Sequence, residues 1–238
     1  MEKTPDYIRE RILSDPPDDC CAVPCTVPQI GEGYVECATI ATVGINPHGA
    51  RSRRRYSPLG ECTVDDAGVA AAYEDKRRYF EKQTYGYFTH LEKILNACGA
   101  TYGGLYAEAE SHLDLAASLD VVQWPTDPLW SKLLGRCFPG AQKRLLDDGV
   151  PFFREALRRN TRIGCLLGNG RSVVEQLERA FEVKFRRWRE AELGTYLYCG
   201  ELLGRQFIGW STFLSNSPMN KAQRANLARR VCELHRNG

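Results

Sequence analysis

Three short polar segments each follow an apolar run that is typical of a β-strand. They are Gly44-Ile45-Asn46-Pro47, Gly168-Asn169-Gly170 and Ser215-Asn216-Ser217-Pro218-Met219. In a parallel sheet the carboxyl ends of the strands meet at one edge, and ligands bind in the crevice beyond that edge. We therefore expect the three segments to lie at a common edge. Their side-chain amides and hydroxyls are suited to orienting water and hydrogen-bonding a ligand.

A dense group of arginines follows the first segment, at Arg51, Arg53, Arg54 and Arg55. The whole chain has 32 basic and 30 acidic residues, a formal net charge of only +2, so any attraction for an anion must come from where the charges lie. An amide-bearing turn next to such a group favours an anionic partner, and nucleic acid is the first candidate.

The elements that must position these residues alternate along the chain. Strands are expected at about 36–45, 118–124 and 162–167, and the runs 195–200 and 206–214 are expected to form a hairpin around Leu203-Gly204. Helices are expected at about 4–14, 65–98, 129–138, 141–148, 151–159, from 171 and at 220–234, with Arg186, Arg187 and Arg189 on a solvated helix face. This alternation predicts an α/β protein, a three-layer α/β/α sandwich around a central, mainly parallel four-stranded sheet. We expect a single domain, 1–238, in which 1–33 forms an N-terminal helix and loop extension.

The order and spacing of the three segments resemble the uracil-DNA glycosylase superfamily. Its first motif has the form Gly-x-(Asp/Asn)-Pro, and Gly44 to Pro47 is similar to it. Its late motif ends in Ser-Pro or Ser-Gly before a wedge residue, and Ser215 to Met219 is similar to that motif. Leu166 to Asn169 is similar to the family's third-strand end. The resemblance covers residues 36 to 234, and together the motifs are more specific than any one of them.

The resemblance implies a role for each matching residue. Asn46 would orient the attacking water, and either Ser215 or Asn216 would stabilise the leaving base, depending on the register of the late motif. Met219 would be the apolar wedge that fills the space of the extruded base. The implied substrate-binding set is Gly44, Ile45, Pro47, His48, Tyr56, Gln123, Thr126, Asn169 and Ser217. The implied DNA contacts are Arg51, Arg53, Arg54, Arg55, Pro218, Met219 and Lys221.

The implied function is hydrolysis of the N-glycosidic bond of a deaminated or damaged, uracil-like base in DNA after base flipping, as in base excision repair. Neither metal nor cofactor is expected, and the three segments contain no lysine for a lyase step. One alternative is a non-catalytic nucleic-acid or nucleotide-binding protein on the same fold. Another is a nucleotide or small-molecule enzyme on a similar sheet. The lack of Gly-x-Gly-x-x-Gly after the first strand disfavours a dinucleotide enzyme.

Ten cysteines are scattered along the chain without a C-x-x-C pair. Cys20, Cys21 and Cys25 form the one tight group, and their spacing favours a structural role over a metal site. No apolar run approaches the roughly 20 residues of a membrane helix. We therefore expect a soluble, monomeric protein without a signal peptide, in the cytoplasm or the nucleus.

Overall fold

A seven-stranded sheet dominates the part of the chain described by the computed structural model, residues 4–31, 38–47, 66–82, 84–107, 112–133, 139–216 and 218–238. The strands are β1 (Ile40–Gly44), β2 (Ala100–Thr101), β3 (Asp114–Asp120), β4 (Cys165–Asn169), β5 (Arg186–Glu190), β6 (Thr195–Leu202) and β7 (Arg205–Trp210). Their order across the sheet is β2-β3-β1-β4-β7-β6-β5.

The sheet is mostly parallel. β2 pairs with β3, β1 with β4 and β4 with β7 in parallel, whereas β6 runs antiparallel to both β7 and β5. The predicted α/β class with a mainly parallel sheet is therefore confirmed. All five residues of β4 are buried, which explains why Cys165, Leu166 and Leu167 are apolar at successive positions rather than at alternating ones. The predicted hairpin is also present, because β6 and β7 are joined at Leu203-Gly204.

The predicted four-stranded sheet was wrong for the described residues, which form seven strands. Strand β6 of the hairpin also belongs to the sheet, and two strands that the sequence did not indicate, β2 and β5, lie at its outer edges. β2 is only two residues long, which is too short to show an alternation of apolar and polar residues. β5 has the sequence Arg-Arg-Trp-Arg-Glu, and its charges were expected on a helix face. Polar and charged residues suit an edge strand, because one side of its backbone pairs with no other strand of the sheet. Such a strand lacks the alternation of apolar and polar residues by which a strand is identified in a sequence.

Seven α-helices occur in the same described ranges: α1 (Asp6–Leu13), α2 (Asp66–Arg77), α3 (Tyr79–Lys82), α4 (Gly86–Ala97), α5 (Ala141–Arg159), α6 (Arg171–Phe181) and α7 (Lys221–Arg236). Short 3-10 turns lie at Gly104–Tyr106, Trp130–Lys132 and Leu214–Asn216. α7 begins with a capping box in which Asn220 and Gln223 exchange side-chain and backbone hydrogen bonds.

Four predicted helices differ from those observed. The stretch 65–98 contains three helices, α2 to α4, rather than one. The predicted pair 141–148 and 151–159 is a single helix, α5, with Pro151 inside it. Burial of Leu145, Phe153 and Leu157 along one side of α5 outweighs the backbone hydrogen bond that a proline removes. Of the helix expected at 129–138, the described residues show only the turn Trp130–Lys132.

Two compact units divide the chain. Unit 1 comprises Met1–Ile30, Ile45–Arg77 and Leu119–Arg159, and unit 2 comprises Gly31–Gly44, Arg78–Ser118 and Asn160–Gly238. In unit 1, α1 packs near α5, with the rings of Tyr7 and Phe152 5.5 Å apart. Unit 2 contains the sheet except for the end of β3, and its core includes the predicted apolar face of α4. The single domain expected for 1–238 stays a prediction.

Candidate functional site

The carboxyl ends of β1, β4 and β7 lie side by side in unit 2. Val43 is in register with Gly168, and Gly168 is in register with Gly209. Because the three strands are parallel, the segments that follow them leave from one edge of the sheet, as the sequence predicted. Glycine is needed at position 168, since a Cβ there would lie 2.7 Å from the buried ring of Phe207.

Asn169 is the last residue of β4, and its amide has two different surroundings. The side chain is 1% exposed, and its Oδ1 accepts hydrogen bonds from Trp210 Nε1 (2.9 Å) and from the backbone N–H of Leu214 (3.2 Å). These bonds fix the turn after β7. Its Nδ2 is buried and has no hydrogen-bond partner in the described part of the chain. Since buried donors are normally paired, this atom is a candidate ligand contact.

Ser215 lies in the turn that Asn169 fixes. Its Oγ is also buried and also has no hydrogen-bond partner among the residues that the structure describes. Unit 2 thus contains, in and next to the segments after β4 and β7, two buried polar groups able to donate a hydrogen bond. A ligand atom with lone pairs, such as a carbonyl oxygen or an anionic nitrogen, is the chemical complement of such groups.

Asn46 follows β1 by two residues and belongs to unit 1. Its Nδ2 donates to Thr126 Oγ1 (3.2 Å) and, at 3.5 Å, to the carbonyl of Trp124. The structure therefore brings together two residues that the sequence assigned to the site. No hydrogen bond to Asn46 Oδ1 is formed by a described residue, so the carbonyl end of this half-buried amide is the end suited to orienting a water molecule.

The N-terminal extension fixes Thr126. An antiparallel bridge joins Ala22 to Thr126, and the backbone N–H of Val23 donates to the carbonyl of Pro125 at 2.9 Å. Thr126 itself is fully buried. The segment that reads as a Pro-rich loop is thus part of the support of the Asn46 amide, which no local sequence pattern indicates.

Gln123 is buried and closes the turn after β3. Its Nε2 donates to the carbonyls of Asp120 and Val121, both at 2.9 Å, while its Oε1 has no partner among the described residues. The Nε2 group of Gln123 is therefore occupied by backbone carbonyls. The Oε1 atom is the part of the side chain that could accept a hydrogen bond from a bound base. That base-reading role stays a prediction.

In the segment that follows β7, Met219 is not exposed as the expected wedge role requires. Met219 is 7% exposed and belongs to the apolar core of unit 2, whereas a wedge must protrude to enter a base stack. In this structure Met219 is therefore a core residue. Pro218 and Lys221 are exposed, as a contact with DNA requires. Phe213, which the sequence did not single out, is 43% exposed, and its ring centroid lies 5.6 Å from that of Tyr87.

Several predicted site residues fall where the structure describes nothing. They are His48, Arg51, Arg53, Arg54, Arg55, Tyr56 and Ser217, and the side chain of Asn216 is likewise outside the description. The remaining pocket residues of the first segment are Gly44 and Ile45, which are half-buried, and Pro47, which is buried. The carbonyl of Ile45 accepts a 2.7 Å hydrogen bond from the backbone N–H of Val122.

Asp120, at the carboxyl end of β3, is a titratable residue that the sequence did not reveal. Burial raises the pKa of Asp120 to about 7, and the nearby Lys76 ammonium partly offsets this rise. Burial likewise lowers the pKa of Lys76 to about 8, against the attraction of Asp120 and Asp75. A carboxyl group with a pKa near neutrality is suited to acid–base chemistry. The available signal in the sequence was an acidic residue within the predicted strand 118–124.

No protein-family model matches the chain, and no curated protein sequence matches it. In the described ranges, no three or more His, Cys, Asp or Glu side chains are grouped so that they could hold a metal ion. None of the helices described there is both long enough and apolar enough to cross a membrane.

Proposed function

We propose that the chain is a DNA glycosylase that hydrolyses the N-glycosidic bond of a deaminated or damaged, uracil-like base after base flipping. The observation that supports this most directly is the pair of buried, unpartnered polar groups, Asn169 Nδ2 and Ser215 Oγ, at the strand-end edge of unit 2. The finer architecture proposed with it is a three-layer α/β/α arrangement whose central strands are β3, β1, β4 and β7.

The chemistry of each group suits this reaction. Cleavage of the glycosidic bond leaves negative charge on the departing base, and fixed hydrogen-bond donors at that position lower the barrier without reorganising. Asn169 is suited to this role because its other amide end is locked by Trp210 and Leu214. Asn46 would orient the water through Oδ1, and an amide does not deprotonate water strongly, so modest rates are expected.

DNA binding in this proposal uses cations that follow the same segments along the chain. Lys221 is exposed at the start of α7, and the arginines from 51 to 55 follow the Asn46 segment along the chain. Their contacts would be with phosphates, which position the strand but do not identify the base.

A second candidate is a non-catalytic nucleic-acid or nucleotide-binding protein on the same fold. One observation favours it: within the described parts of the segments after β1, β4 and β7 there is no histidine or carboxylate, and the amides present are used partly to hold the protein together. A site of this composition can bind a base without assisting its departure.

The deciding experiment is a base-release assay with the Asn46→Ala variant. Single- and double-stranded oligonucleotides carrying uracil, hypoxanthine, xanthine or an alkylated base are incubated with the protein and treated with alkali to cleave abasic sites. We expect strand breaks with at least one substrate for the unchanged protein, and a loss of about 10²-fold in Asn46→Ala because the attacking water is no longer held in place.

Asn237→Ala is the matched control, since it removes an exposed amide at the end of α7 and is expected to retain full activity. Circular dichroism of both variants verifies folding. If every substrate binds but none yields an abasic product, the non-catalytic alternative replaces the proposed hydrolase.

A further inference from the structure

The edge strand β5 presents arginines on both sides of the sheet. Arg186, Arg187 and Arg189 are all exposed, and β5 pairs only with β6 because it is the last strand in the sheet order. Successive residues of a strand alternate between faces, so Arg187 and Arg189 share one face and Arg186 lies on the other. We call these three arginines, with Trp188 and Tyr196, the β5 surface.

The three arginines are not neutralised by carboxylates. None of them forms an ion pair with another residue in the described ranges, whereas three other arginines of unit 2, Arg171, Arg229 and Arg230, do. Arg171 pairs with Glu175, and Arg230 pairs with both Glu190 and Glu233. Glu190, the one acid in β5, is therefore already engaged by Arg230 and by Trp188 Nε1. The β5 surface keeps a local excess of positive charge in a protein whose net charge is only +2.

Aromatic rings hold two of the guanidinium groups. The Cζ atom of Arg186 lies 5.3 Å from the ring centroid of Trp188, and that of Arg187 lies 5.1 Å from the ring centroid of Tyr196. Stacking orders a planar guanidinium while leaving its N–H edge able to bind the oxygens of an anion in a bidentate manner. Tyr196 is 41% exposed, so ring surface also remains accessible.

Edge strands often have charged residues simply because these prevent pairing with another sheet. That requirement is met by one or two flexible charges, whereas β5 has three arginines, two of them stacked on rings. Interleaved arginines and aromatic residues are the combination used by surfaces that follow a phosphate backbone. Arg187 and Arg189 are about 6.8 Å apart along the strand. Because successive charges of one B-DNA strand rise by about 3.4 Å along the helix axis, this spacing lets the two guanidinium groups contact different phosphates of the same strand.

We propose that the β5 surface binds the phosphate backbone of a nucleic-acid strand. This inference does not rest on the proposed glycosylase activity, because the surface requires no damaged base and no chemistry. An acidic protein segment is the competing occupant, since an edge strand can also accept an added strand. The regular spacing of the arginines and the stacked rings favour the nucleic acid.

The test is fluorescence anisotropy with a labelled, undamaged oligonucleotide of about 20 thymidines, titrated at several salt concentrations between about 50 and 200 mM. We expect the Arg187→Gln, Arg189→Gln double variant to bind at least about tenfold more weakly at low salt, and the slope of log K against log salt to become shallower by about 1.4. The control double variant, Arg158→Gln with Arg159→Gln, removes the same charge where both arginines pair with Glu155. It is expected to bind like the unchanged protein.

An unchanged slope in the β5 double variant would overturn the proposal. So would equal displacement of the oligonucleotide by a polyglutamate peptide of similar length, which would identify an acidic protein segment as the occupant. If the double variant fails to fold, as judged by circular dichroism, the single variant Arg186→Gln is measured instead, with an expected slope change of about 0.7. Because the oligonucleotide is undamaged, this result and the base-release result can fail independently.

Discussion

At the scale of single residues, Asp120 and Lys76 are the pair whose protonation the fold changes in opposite directions. Burial moves the pKa of Asp120 up to about 7 and that of Lys76 down to about 8. The two groups therefore titrate close to neutral pH rather than far from it. A small change in the surroundings of either one shifts which of them is charged at physiological pH.

Replacing Asp120 with Asn is predicted to change how stability depends on pH. The pKa of Asp120 is raised in the folded state, so its contribution to stability is complete below its usual pKa of about 4 and is lost as the pH rises through about 7. The unchanged protein should lose more unfolding free energy between about pH 5 and pH 7 than Asp120→Asn does. Urea unfolding at the two pH values measures this. Asp15→Asn, which removes an exposed carboxylate, is the control, and equal losses in all three proteins would contradict the prediction.

The positions of Asn46 and Asn169 were predictable because a polar residue after an apolar run locates a strand end. The partners of these amides were not predictable, since Thr126 and Trp210 are distant in sequence and are brought close only by the fold. The burial of Met219 was not predictable for the same reason. Its sequence neighbours suggest an exposed turn, and its burial depends on packing against residues from other elements.

At the scale of elements, α5 shows how packing decides where a helix continues. Gly149 lies inside α5, and a Cβ at that position would be 2.2 Å from the carbonyl oxygen of Val121 and 3.0 Å from the Cα of Val122. Backbone atoms cannot yield as the end of a flexible side chain can. The glycine thus allows α5 and the segment after β3 to approach closely within unit 1.

Gly149→Ala is predicted to destabilise the protein although alanine favours helices. The gain in helix propensity is at most about 1 kcal/mol, whereas forcing an atom into occupied space costs about 1–3 kcal/mol. Gly86→Ala is the matched control, because Gly86 begins α4 and its added Cβ would have no atom within 4 Å. That variant should be neutral or slightly stabilised. Chemical denaturation of both proteins measures the difference, and equal stabilities would contradict the prediction.

Element types were predictable where one face is apolar over several turns, as in α4, or where a whole strand is buried, as in β4. The prediction failed for β5, because an edge strand has no buried face long enough to impose a period. The sequence analysis also predicted one helix where the structure has three, α2, α3 and α4. Breaks between helices depend on how each short helix packs, which the spacing of apolar residues does not reveal.

At the scale of the whole molecule, the cysteines are free in the part of the chain that the structure describes. Seven of the ten lie there, and none is in a disulfide bond. Cys21 is exposed, whereas Cys165 is buried, and burial raises the pKa of the Cys165 thiol well above its usual value. The pKa of Cys98 is raised to about 12 by the same cause. The reactive thiolate is therefore scarce at both Cys165, which is buried, and Cys98, which is half-buried.

Among the seven described cysteines, Cys21 is predicted to react first when native protein is treated with iodoacetamide, while Cys165 and Cys98 react only after unfolding. Peptide mapping by mass spectrometry at successive times gives the order. Protein labelled in denaturant is the control, since all of these thiols then become accessible. Early labelling of Cys165 in the native protein would show that the core of unit 2 opens more readily than its burial indicates.

The hairpin of β6 and β7 also bears on how the sheet is assembled in time. Its two-residue connection has positive φ at both positions, 54° at Leu203 and 72° at Gly204, which matches the twist of the strands it joins. Hairpins form within microseconds, whereas β1 and β4 must find each other across a large part of the chain. We therefore expect the antiparallel end of the sheet to form early and to serve as a template onto which β4 and then β1 are added. The strand that leads to Asn46 would be among the last to be fixed.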